Sequence, residues 1–299
     1  MKNILFVLII LPISAYAKPD LISFNEGLCL PDAGNYDMWY GCAPTAAGMM
    51  LGWYDRNGYP NLVPGGDAEL STFGKPDCLV NSSIASPGHI NDFFRKGYGF
   101  FKDDSFFPTH QFDCLADFMG TSQDFFGNKN GDTQFHFWSD NSPCTSDDLW
   151  DLWPFLYYSD GMCGIERYVT YRGYNTPVMY NQLINGFNGI SAGFSFDQFK
   201  NEIDNNRGVL LHLGNDFGIG HTMYAYGYDE IDNTILVYDT LGPLGQNPGR
   251  LVWGEHYFYY GMPLTHFGVT VMHMAPEPST VFFVLFSLLL LDHRSNYRK

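Results

Sequence analysis

Hydrophobic and polar positions fall into three regimes along this chain. In the first, Ala43, Ala46, Ala47, Met50, Leu51 and Tyr54 recur at helical spacing. Ala, Met and Leu favour helix, and Pro44 falls in a first turn, where its missing N–H removes no bond. Asn57-Gly58-Tyr59-Pro60 ends the pattern. The spacing therefore predicts a buried helix starting at Cys42, with Gly48 and Gly52 leaving room for a close backbone. In the second regime, residues 60–189, the pattern dissolves into an aromatic stretch rich in Gly, Asn, Asp and Pro. Only short helices near 91–97, 113–119 and 147–158 can be placed there.

Order returns at Ser195. Phe196, Phe199 and Ile203 mark an amphipathic helix over 196–207, with Ser195 as its N-cap and Gly208 as its stop. Strands follow at 209–213, 221–228 and 234–238, with a turn at 229–233 between the last two. Further strands are expected at 250–253 and 267–274. One helix leading a run of antiparallel strands indicates an α+β fold.

The two ends carry addresses rather than fold. Lys2, an apolar run over 4–13 and Ala15-Tyr16-Ala17 read as a secretory signal at 1–17; a buried N-terminal element is the alternative. At the other end Pro276-Glu277-Pro278 precedes an apolar run over 281–291, then Arg294, Arg298 and Lys299. Eleven residues of helix rise about 16 Å, short of a hydrocarbon core of about 30 Å. The order of motif, apolar run and basic end resembles the PEP-CTERM sorting tail, so 276–299 is expected to be such a tail. The resemblance implies processing by an exosortase in a Gram-negative bacterium that makes exopolysaccharide. An ordinary tail anchor is the alternative. The expected location is the periplasm, cell surface or extracellular matrix, with transient membrane anchoring.

Charge narrows the function. Sixteen Lys and Arg against 32 Asp and Glu leave a formal net charge of −16, with no basic cluster inside the chain, which argues against nucleic acid as a partner. Export to an oxidising compartment makes disulfides an expectation among Cys29, Cys78, Cys114, Cys144 and Cys163. An even total of six leaves open that Cys42 is itself paired.

A thiolate nucleophile needs a lowered pKa and a nearby base. Cys42 opens a buried helix, where the positive end of the macrodipole favours an anion. His221 and Asp239 flank the predicted turn, and antiparallel pairing there puts them within one or two residues of opposite each other. Asp239 is positioned to orient His221 in a triad. The runs Gly41-Cys42-Ala43-Pro44-Thr45-Ala46-Ala47, Gly220-His221-Thr222 and Tyr238-Asp239-Thr240 are similar to those of peptidases that process double-glycine bacteriocin leaders, and of their secreted relatives. The resemblance covers residues 35–60 and 195–242. It implies a papain-like cysteine peptidase domain over 18–275, with a central helix starting at Cys42 packed on an antiparallel sheet and a long insertion within about 60–189.

The resemblance also implies catalysis by Cys42, His221 and Asp239 on a peptide or protein substrate, with no metal and no organic cofactor. Acyl transfer to an amine uses the same groups. The family places a glutamine oxyanion donor about six residues before the cysteine; position 36 is Tyr here, and Asn35 is the nearest side-chain amide. Cys42 and His221 lie 179 positions apart, beyond the roughly 130–150 usual for papain-like enzymes, hence the insertion. The alternative is an inactive papain-like binding or structural protein of the extracellular matrix.

Three other groups are assigned to structure. Asp124, Asn128, Asn130 and Asp132 around Gly131 miss the spacing of an EF-hand and read as a polar turn. His256, His266 and His273 read as strand residues. Trp138, Trp150, Trp153, Tyr157 and Tyr158 read as core packing, with stacking on the sugars of an exopolysaccharide as the alternative.

Overall fold

A computed structural model describes residues 19–24, 27–95, 113–242, 249–259 and 261–275. The readings at 1–17 and 276–299 lie outside these residues, and no helix among the described residues is long and apolar enough to cross a membrane.

Helix α1 spans Cys42–Arg56 and every residue from Ala43 to Asp55 is buried, so it is a central helix enclosed on all sides rather than an amphipathic one. Two strands precede it, β1 (Ile22–Phe24) and β2 (Gly27–Cys29). The middle stretch holds more regular structure than its composition suggests: α2 (Leu79–Ile84), α3 (Pro87–Arg95), α4 (Leu115–Phe118), β3 (Cys144–Thr145), α5 (Ser146–Leu152), α6 (Pro154–Ser159), α7 (Gly161–Tyr171) and β4 (Val178–Leu183). The single helix expected at 147–158 is two helices, because Trp153 is extended ahead of Pro154. Then come α8 (Phe196–Asp204), β5 (Val209–Gly214), β6 (Gly220–Asp229), β7 (Thr234–Tyr238), β8 (Gly249–Val252), β9 (His256–Tyr259) and β10 (Met262–His273). Ser195 caps α8 in a capping box with Gln198.

The strands form an antiparallel sheet in the order β1-β2-β6-β5-β10-β4-β3, with β7 on β6, β8 on β7 and β9 on β10. Since β7 pairs with Tyr224–Asp229 of β6, β5 and β2 share the opposite edge of β6 end to end. β4 pairs with β10 over its whole length, so the middle stretch supplies a strand of the main sheet. Side chains alternate across the strands and bury two cores. Leu210, Tyr224, Tyr226 and Met272 join α1, α4 and α7 on one face, while Leu211, Met223, Ala225 and Val271 join Phe199 and Ile203 of α8 on the other.

The glycines of α1 receive side chains rather than a backbone. A Cβ on Gly48 would meet Ile84, and one on Gly52 would lie 2.5 Å from the Tyr36 hydroxyl. Tyr36 is fully buried and donates to the Glu69 carbonyl at 2.7 Å, which accounts for a tyrosine at that position. The aromatic cluster at 138–158 is core only in part. Trp150 and Trp153 on α5 and its C-cap are 47% and 58% exposed, so they form a surface patch, and only Trp138 and Tyr157 pack inward.

Candidate active site

The entry to α1 is fixed by a threonine. Thr45 accepts from the Trp39 N–H at 2.9 Å and donates to the Gly41 carbonyl at 2.7 Å. Its side chain therefore ties the residues before the helix to the first turn. Tyr40 is held at φ 56° and Gly41 at φ 145°. The backbone passes so close to the loop at Gly131 that a Cβ on Gly41 would lie 2.8 Å from the Gly131 carbonyl. This loop is the polar turn expected at 124–132: Asn128 donates to the Gly120 carbonyl and the Gly131 N–H donates to Ser122 Oγ.

Cys42, half-buried at the start of α1, meets His221 at the start of β6. Burial pushes the Cys42 thiol up, but the charge and hydrogen bond of His221, together with the N–H groups of Thr222 and Ala43, outweigh it and bring the pKa below the usual thiol range. For His221 burial acts downward, and the Cys42 charge and hydrogen bond with the Asp239 carbonyl outweigh it, so its pKa is raised. The two shifts widen the pH window in which thiolate and imidazolium coexist.

His221 Nε2 lies 2.8 Å from the main-chain oxygen of Asp239. A carbonyl can only accept, so Nε2 carries the proton and Nδ1 is the nitrogen left for Cys42. The Asp239 carboxylate, expected to orient the ring, acts on His221 through its charge, and it accepts from the Leu241 N–H at 3.0 Å and from the Tyr257 hydroxyl. The expected proximity is present, since β7 pairs Tyr238 with Tyr224 and continuing that register puts Asp239 two residues from the position opposite His221. Thr240 follows at φ 64°, a strained conformation for a β-branched residue. The Tyr259 ring packs on the imidazole with centroids 4.7 Å apart.

Asn35 bridges Ser71 and donates its N–H to the Leu70 carbonyl at 3.0 Å. Its carboxamide oxygen is buried without a hydrogen-bond partner, and no hydrogen bond joins it to Cys42. The first N–H groups of α1, that of Cys42 among them, have no partner within the helix. The structure thus brings Cys42, His221 and Asp239 together and leaves Asn35 uncommitted. Tyr257, Tyr259, Thr45 and Gly131 were not anticipated. Only Gly41-Cys42-Ala43-Pro44-Thr45 carried a sequence signal for one of them.

His256, His266 and His273 lie in strands as expected: His256 contacts Thr265, His266 is fully buried, and His273 bonds Glu202 at 2.9 Å. All six cysteines are free thiols, so the disulfides expected among five of them are not formed. Compared with known proteins, the chain matches no family model and no curated protein.

Proposed function

We propose that this chain is an exported cysteine peptidase of papain-like architecture that hydrolyses peptide bonds through a thioester. One observation carries the reading: a cysteine at the first turn of a buried helix is held against a histidine whose tautomer is fixed, and its thiol is lowered despite burial. The Cys42 thiolate attacks the scissile carbonyl carbon, forming a C–S bond, while the Cys42 N–H, with Asn35 if its amide turns inward, stabilises the oxyanion. His221 protonates the leaving amine as the C–N bond breaks. It then takes a proton from the water that attacks the thioester, and the thiolate leaves.

The test is alkylation by iodoacetamide across about pH 4–9, with the modified cysteine mapped by mass spectrometry. The expected outcome is preferential labelling of Cys42 below about pH 7, under the ordinary thiol range, lost in His221→Ala. Labelling only above about pH 8 would reject the activated thiolate. The bond of the Asp239 carboxylate to Tyr257 favours a second reading, an inactive matrix-binding relative tethered by its tail. That reading predicts no Cys42 preference at any pH.

A further inference from the structure

We infer that His89, Cys114 and Asp117 supply three ligands of a metal site of the zinc class, separate from Cys42 and His221. His89 comes from α3, and Cys114 and Asp117 from the start and first turn of α4. All three are fully buried. Among the described residues they form the one group of three or more metal-type side chains with ligand atoms all within 4.8 Å of one another. The Asp117 carboxylate stands between the other two, with Oδ1 2.9 Å from His89 Nδ1 and Oδ2 3.2 Å from Cys114 Sγ. Bonds of about 2.0–2.3 Å in a tetrahedron set ligand–ligand edges of roughly 3.3–3.7 Å, and the two Asp117 contacts fall a few tenths of an ångström short of such edges.

The donor set points to zinc rather than calcium or magnesium, which take oxygen ligands. Binding would exchange the Cys114 thiol proton for the ion, and the His89 ring would carry its proton on Nε2 with Nδ1 as ligand. The site would join α3 to α4. It also lies beneath the catalytic entry, because the His89 ring meets Tyr40 edge-on at 6.4 Å, two residues before Cys42.

The test strips the full chain with a chelator and titrates it with Co²⁺, following absorption. The expected result is saturation at one Co²⁺ per chain with a thiolate-to-metal charge-transfer band, displaced by Zn²⁺. Cys42→Ala should keep the band, Cys114→Ala should abolish it, and His89→Gln should weaken binding by about tenfold or more. Absence of saturable binding in the wild type overturns the proposal, as does a band lost in Cys42→Ala. Circular dichroism identifies variants that fail to fold, and the wild-type and Cys42→Ala titrations then decide the outcome.

Discussion

The bond that holds the His221 ring ends on the main-chain oxygen of Asp239, an atom that no substitution at that position removes. Asp239→Asn keeps a side-chain acceptor for Leu241 and a partner for Tyr257, and loses only charge. Its Cys42 alkylation rate is therefore expected to stay within about tenfold of wild type, whereas a carboxylate that directly orients the base is worth roughly 10⁴ in a serine triad. A loss approaching that size would mean the working ring turns to the carboxylate. Cys42 and His221 were legible in the sequence because their chemistry is rare and their neighbours specific. The carbonyl contact was not, since every residue carries the same main-chain oxygen and the positive φ at Thr240 follows from tertiary packing. Tyr257 and Tyr259 reach the site only through the pairing of β9 with β10, a register that no local pattern encodes.

Among the elements, α1 shows how a buried helix is fitted. Gly52→Ala gains about 1 kcal/mol of helix propensity, but its Cβ would sit 2.5 Å from the Tyr36 hydroxyl and 3.4 Å from the ring carbon that bears it. Overpacking of that kind costs about 1–3 kcal/mol, so Gly52→Ala is expected to destabilise. Removing the hydroxyl in Tyr36→Phe should recover at least about 0.5 kcal/mol of that loss. A double-mutant cycle from urea unfolding measures the coupling, and additive effects would show that the helix simply moves aside. The sequence revealed α1, α8 and strands β5 to β7 because each carries a strong period or a cap. It missed α7 although Asp160 caps that helix by accepting from the Met162 and Cys163 N–H groups, since the aromatic run before it masked the start. It missed β4 because Val178–Leu183 is partly polar: Asn181 is buried to bond Asp160 and Thr270, a requirement set by distant residues.

Across the whole molecule, polar side chains tie the pieces together. Asp160, Asn181, Thr270, His212 and Thr222 form a chain of hydrogen bonds from the start of α7 through β4, β10 and β5 to β6. His212 stays neutral within it, because burial, with His266 adding to the effect, brings its pKa down to about 3. Glu202 of α8 makes a second tie, accepting from Arg207 at 2.5 Å and His273 at 2.9 Å. Burial raises its pKa, but the His273 and Arg207 bonds and charges outweigh that and the net shift is down. A lowered carboxylate stabilises above its unfolded value of about 4.3 and loses that contribution as pH falls through its folded value. Glu202→Gln is therefore expected to cost roughly 2 kcal/mol at pH 7, less than a wholly buried pair because both partners are partly exposed. It should also lose less stability than wild type between about pH 5 and 3, and parallel urea midpoints over that range would refute the assignment.

The contact of Gly41 with Gly131 bears on how far this chain can be shortened. The residue before Cys42 leans on the middle stretch, so trimming that stretch would remove a wall of the candidate site along with the apparent excess.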